Sequence, residues 1–283
     1  MQKKLKISIK DFIEINDLYG PTKIEIIPIK NVYGKFINIK GNQKNLYHIY
    51  YNDTKIETKN KYSINEEDKI AKIKVKIDYR VDSFLGLFDE CNCIESIDFN
   101  KYCRREKCWF ENIFEKCSSI KELSLSNIYN NKITSFDIFF ELSPTIQKIT
   151  ISNFHNNEMT SVGSILEKCT SLKEVNISNF HDNKTMSMSR IFSGCTSLQK
   201  VNISNFFNNK TMSMNKTFSG CTSLQKVDIS NFYNNETMSM NKIFSECTSL
   251  KELNLSNFKN NKKMSMQRVF SDCPNDFKIN NIS

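Results

Sequence analysis

Glycine and proline are scarce, with seven and four residues in a chain of 283, so flexible linkers and glycine-rich phosphate loops have little to be made from. Histidine is rarer still, limited to His48, His155 and His181. No HExxH, GxSxG, GxGxxG or GK[ST] pattern occurs, and no pair of carboxylates stands apart from its surroundings. A nucleophile with its base, or a phosphate cradle, has no residues to be built from, and neither an enzyme nor a cofactor is expected. No apolar run approaches the roughly 20 residues that a membrane-spanning helix needs. The opening MQKKLKISIKDFIEI is charged, but it lacks an apolar core of about 7 to 15 residues and a cleavage-like site, which argues against a secretory signal.

Charge is present but uneven. Residues 1–80 hold 17 Lys and Arg against 10 Asp and Glu, whereas residues 81–283 hold 23 against 21. A basic first portion could meet an anionic partner. The plainer reading is a solvated face, since Lys72, Lys74 and Lys76 alternate with Ile73, Val75 and Ile77 as on a one-sided strand. No arginine cluster, interleaved aromatic platform or recognition-helix pattern accompanies the charge, so specific nucleic-acid binding is not expected.

What dominates the chain is repetition. CTSLKEVNISNFHDNKTMSMSRIFSG begins at Cys169, and copies follow without a gap at Cys195, Cys221 and Cys247, each 26 residues long. The same frame runs back through Ser143 and Cys117 to Cys91, and a worn copy, CPNDFKINNIS, closes the chain. A fixed period in this range marks a solenoid, in which one supersecondary unit buries its apolar face only against its neighbours. Within the unit at Cys195, Leu198, Val201 and Ile203 alternate with polar residues as in a short strand. Met214, Thr217, Phe218 and Cys221 fall at i, i+3, i+4 and i+7, the spacing of one face of a short helix or helical turn. The expectation is a leucine-rich-repeat type of solenoid over 81–283, with about seven full coils of strand plus short helix or turn and partial coils at its ends. Residues 1–80, with Ile-rich runs such as KIEIIPI, YHIYY and KIKVKI, read as a small β-rich module that either caps the array or binds on its own.

Stacking turns each position into a column. Phe154, Phe180, Phe206, Phe232 and Phe258 form one, and Asn127, Asn153, Asn179, Asn205, Asn231 and Asn257 form another that reads as structural. Cys91, Cys117, Cys169, Cys195, Cys221, Cys247 and Cys273 share one coil position, which favours buried reduced thiols over a disulfide framework. Cys91, Cys93, Cys103 and Cys108 do not have the spacing of paired zinc knuckles, so no metal is expected, and a Cys103–Cys108 disulfide is the alternative in an oxidising compartment.

The wording C-[TS]-S-L-x-x-[VL]-x-[IL]-S-N-F, followed by Met and then x-F-S-[GDE]-C, resembles the BspA-like leucine-rich repeat surface-protein family over roughly residues 81 to 273. The resemblance implies a surface adhesion or host-interaction protein, and it sets a cell-surface location against the missing signal. The residue after the core Phe departs from the family's usual Asp or Asn: here it is Tyr129, His155, His181, Phe207, Tyr233 and Lys259. Aromatic side chains at one-coil spacing either pack on neighbouring coils or anchor a partner. The favoured function is a non-catalytic interaction module that meets a protein or glycan through the solenoid face, with Tyr129, His155, His181, Phe207 and Tyr233 as candidate contacts. The alternative is an intracellular scaffold whose basic first module binds an anionic partner.

Overall fold

The computed structural model describes residues 20–280 except 40, 82, 104–112, 115, 130–144, 157–159, 162–165, 183–185, 209, 235 and 261–262. It is a β-solenoid entered through an antiparallel module. Among the described residues, five strands make that module: β1 (Thr22–Pro28), β2 (Gly34–Lys35), β3 (Tyr47–Tyr51), β4 (Ser63–Ile64) and β5 (Ile73–Ile77). β5 lies between β1 and β3, and β2 pairs with β4 as a separate ribbon. The alternation read from KIEIIPI and KIKVKI places Ile24, Ile26, Ile73, Val75 and Ile77 in the core, each at most 1% exposed. KLKISI and FIEI lie outside the described residues.

The coil strands follow: β6 (Ile94–Cys103), β7 (Glu122–Tyr129), β8 (Lys148–Asn156) and β9 (Glu174–Asp182), then Lys200–Asn208 and shorter strands through Lys278–Asn280. They pair in parallel at one-repeat register, as in Val201 beside both Val175 and Val227. β1 pairs antiparallel with β6, so module and coils share one thirteen-stranded sheet. A second parallel sheet stacks Met186–Ser187, Met212–Ser213, Met238–Ser239 and Met264–Ser265, with Ser161 bridging to Ser187. Both ladders are thus described in about five coils.

Of the short helix or turn expected in each coil, the turn is what forms, and the helical version of the leucine-rich-repeat coil is not there; the described residues contain almost no helix, only a 3-10 segment at Gly41–Leu46. The segment from Met214 to Cys221 is a pair of tight turns instead. Thr217, Ser219 and Cys221 donate their backbone N–H to the carbonyls of Met214, Lys216 and Phe218, three residues back. The intervening N–H groups of Lys216, Phe218 and Gly220 donate to Asn241, Ile243 and Ser245 in the next coil. Lys216 and Gly220 also sit at φ 55° and 74°. Left-handed residues every four positions break a right-handed helix. Two consecutive four-residue turns nevertheless return side chains inward at the i, i+3, i+4, i+7 spacing, which is why the pattern imitates a helix face.

The core is a set of columns. Phe154, Phe180, Phe206 and Phe232 stack at 4.7–4.8 Å with interplanar angles of 9° or less. Phe192, Phe218, Phe244 and Phe270 stack at 5.5–5.8 Å. The cysteine column runs beside them, free and mostly buried, with Cys169 and Cys273 half-buried. Cys221 and Cys247 donate to the carbonyls of Phe192 and Phe218, each at 3.1 Å. Burial pushes the Cys117 thiol up to about 11 and the Cys195 thiol up to about 12, leaving them poor nucleophiles. Cys93 is free and buried against the Lys35 carbonyl at 3.2 Å. Cys108 and the side chain of Cys103, and with them the disulfide alternative, lie outside the described residues.

Candidate interaction surface

Strand alternation builds the outward face of the large sheet, and four of its columns bear on binding. The first carries Glu122, Lys148, Glu174, Lys200, Lys226 and Glu252 in register. Within it Lys148 pairs with Glu174 at 3.4 Å and Lys226 with Glu252 at 3.1 Å. These side chains are about 40% exposed or more, so solvent screening leaves each pair little net worth. The second column is small and polar: Asn176, Asn202, Asp228 and Asn254 line a shallow depression, and the Asn254 amide donates to the Asp228 carboxylate at 3.2 Å. No deep polar pocket forms on this face among the described residues.

The third column makes the strands turn a corner. Asn127, Asn153, Asn179, Asn205, Asn231 and Asn257 all hold positive φ, between 50° and 56°. Asparagine tolerates this region, and here five of the six amides, all but that of Asn231, are seen to reach the coil before. The Asn153, Asn179 and Asn205 Nδ2 groups donate to Asn127, Asn153 and Asn179 Oδ1 at 3.0, 2.9 and 3.2 Å. The left-handed residue reverses the alternation, so Phe206 points inward and Phe207 outward.

That reversal produces the fourth column. His155 stacks on His181 at 4.8 Å, His181 on Phe207 at 4.7 Å and Phe207 on Tyr233 at 5.0 Å, all within 14° of parallel. His155 is exposed and the other three half-buried. Lys259 closes the row with its ammonium 5.9 Å from the Tyr233 ring centre. Tyr129 occupies the preceding position by strand register beside His155, and its side chain lies outside the described residues. Four of the five candidate contacts are therefore brought into one ridge. What the sequence did not reveal is the orientation of the rings: the faces between neighbouring rings cover one another, and the edges look outward.

Burial lowers the His181 pKa, and the charge that His155 can carry lowers it further. A histidine depressed in the folded state adds stability at neutral pH that is lost as pH falls from about 6.5 through the folded pKa. We expect the urea midpoint to drop between about pH 7 and pH 5, and His181→Phe to flatten that slope. Asp98, raised by burial, titrates with the opposite sign, so the difference between wild type and variant is the quantity to read. An unchanged slope in the variant would refute the assignment.

A model of the family described as "Mycoplasma protein of unknown function, DUF285" matches residues 108–206 and again 160–282. The chain belongs to this family. The two DUF285 matches begin 52 residues apart, at 108 and 160, which is two turns of the 26-residue period, so the family unit spans several coils and slides along the array. Every ridge residue falls inside the DUF285 spans, whereas the antiparallel module lies outside them. No curated protein matches the chain. Among the described residues, no group of His, Cys, Asp and Glu could hold a metal ion, and no helix is long and apolar enough to cross a membrane.

Proposed function

We propose that the chain is a non-catalytic protein-binding module that meets its partner on the outward face of the large sheet, at the His155–His181–Phe207–Tyr233 ridge. The observation that carries this reading is that the ridge is additional to the core. Phe154, Phe180, Phe206 and Phe232 already fill the interior at the adjacent position, so the fold gains a second aromatic column that faces solvent. Rings held rigid by their neighbours lose little freedom on binding, which favours them as anchors. Because the faces between the rings are occupied, the exposed edges suit apolar side chains of a protein better than the flat face of a sugar ring. The resemblance to BspA-like repeats supports the same reading and extends it to adhesion at a cell surface.

The test is selection of peptides from a random phage-displayed library on the immobilised full chain. Phe207→Ser with Tyr233→Ser should reduce capture of the enriched peptides at least tenfold while changing stability by about 2 kcal/mol or less, since both rings are only half-buried. Peptides that bind the double variant as well as wild type would place the contact elsewhere. Protease shaving of intact source cells then addresses location: release of repeat peptides while a cytosolic control is spared supports adhesion, and protection until lysis rejects it.

A further inference from the structure

The antiparallel module carries an arrangement that neither its alternation nor its net charge reveals. Register sets His48 opposite Lys76 and Lys76 opposite Lys23, and the backbone of Lys101 follows opposite Lys23 beside a register shift between Lys23 and Ile24. Lys76 and Lys23, directly paired, share a face with their Cβ atoms about 4.5–5.5 Å apart, and like charges so placed repel. A sheet stabilised for its own sake would avoid this row. The neighbouring row does: Tyr50, Lys74, Glu25 and Asp98 follow one another across the same strands, and Lys72 and Lys74 both pair with Glu25 and Asp53.

Among the described residues, four acids around the row are already engaged. Glu25 and Asp53 are engaged by Lys72 and Lys74, Asp78 holds Arg80, and Glu57 bonds the far side of His48 at 3.0 Å. Lys23 and Lys76 are exposed and have no carboxylate partner among the described residues; Lys76 only lies 4.9 Å from the Tyr50 ring centre. Lys101 is placed by register alone.

We propose that this row binds a linear sulfated polysaccharide laid across the strands. The width of the row selects the shape of the ligand. A membrane surface or a nucleic-acid duplex would cover both rows and meet Glu25, Asp53 and Asp98, whereas a single chain can follow Lys23 and Lys76, the acids at the His48 end, Glu57 and Asp78, being already paired. The residue type selects the anion. Lysine is a point charge without the planar fork with which arginine grips carboxylates bidentately, so the row reads charge density, which sulfate esters supply. Tyr50 has the Lys76 ammonium over its ring and the ridge rings cover one another, which leaves these aromatics poor stacking platforms for single-stranded nucleic acid. This site is independent of the aromatic ridge, and either can fail without the other.

The probe is dextran sulfate, titrated against the full chain at low salt, where exposed charges are least screened. Unsulfated dextran, polyglutamate, oligothymidylate and anionic lipid vesicles are run beside it. Dextran sulfate should bind most tightly, with affinity that falls as salt rises. Lys23→Glu with Lys76→Glu should weaken it about tenfold or more, because two contact charges are reversed. Lys173→Glu with Lys251→Glu makes the same change in net charge on the solenoid and should have little effect. If the glutamate pair lowers the melting temperature, Lys23→Gln with Lys76→Gln is read instead, with a smaller loss of the same kind. Equal weakening by the two lysine pairs would reduce the effect to net charge. Equal binding of unsulfated dextran, or tighter binding of any other probe, would also overturn the proposal.

Discussion

Phe206→Ala should destabilise the solenoid by about 3–5 kcal/mol, the usual range for truncating a buried phenylalanine. The ring is fully buried and stacks on Phe180 at 4.7 Å and on Phe232 at 4.8 Å, each within 3° of parallel. Removing it opens a void between two coils, and neither neighbouring ring can tilt into the gap without leaving its own partner. In a stacked array stability is close to a sum of coil terms and nearest-neighbour interface terms, and this substitution removes two interface terms at once. Phe258→Ala is the matched comparison. Phe258 is only half-buried and meets Phe232 at 5.3 Å and 18°, so its loss should cost about half as much and should loosen the last coils alone. Urea midpoints rank the two variants, and amide hydrogen exchange shows where protection is lost. Equal costs, or protection lost only locally in Phe206→Ala, would mean that the phenylalanine column is not what couples the coils.

The period, the inward columns and the strand of each coil were legible in the sequence because they depend on side-chain type at fixed spacing. Val201 and Ile203, Phe206 and Cys221 all lie where the repeat frame put them. The sequence left helix and turn open for a physical reason: Met214, Thr217, Phe218 and Cys221 record where side chains point, not where backbone hydrogen bonds go. In the structure alternate N–H groups cross to the next coil, as Phe218 does to Ile243, and a helix would need them within its own segment. The left-handed positions gave a faint signal. Gly194 and Gly220 precede Cys195 and Cys221, but Lys168, Glu246 and Asp272 hold the same conformation in other coils and disguise the column. The candidate ridge was legible as a column, whereas the stacking that hides its ring faces required the parallel register. The lysine row was not legible at all, because Lys23, Lys76 and Lys101 are far apart in the chain and only antiparallel pairing brings them side by side.

Asn205 separates the two roles of the asparagine column, conformation and amide bonding. Its φ is 53°, its Nδ2 donates to Asn179 Oδ1 at 3.2 Å, and its position is half-exposed. Asn205→Gly keeps the left-handed backbone at no steric cost and loses the amide bond, for an expected loss of about 1 kcal/mol. Asn205→Val loses the same bond and also forces a β-branched residue into the left-handed region, which adds about 1–2 kcal/mol or more. The valine variant should therefore be the worse of the two by a factor of about 2 or 3 in free energy, read from urea midpoints at constant pH. The difference has a consequence for the surface, because the left-handed residue is what turns Phe206 inward and Phe207 outward. If valine relaxes that corner toward an ordinary strand, the alternation slips by one residue and the ridge is broken at its centre, so peptide capture should fall in Asn205→Val and persist in Asn205→Gly. Equal stability of the two variants would assign the column to amide bonding alone, and capture retained by Asn205→Val would show that the ridge does not depend on the corner beneath it.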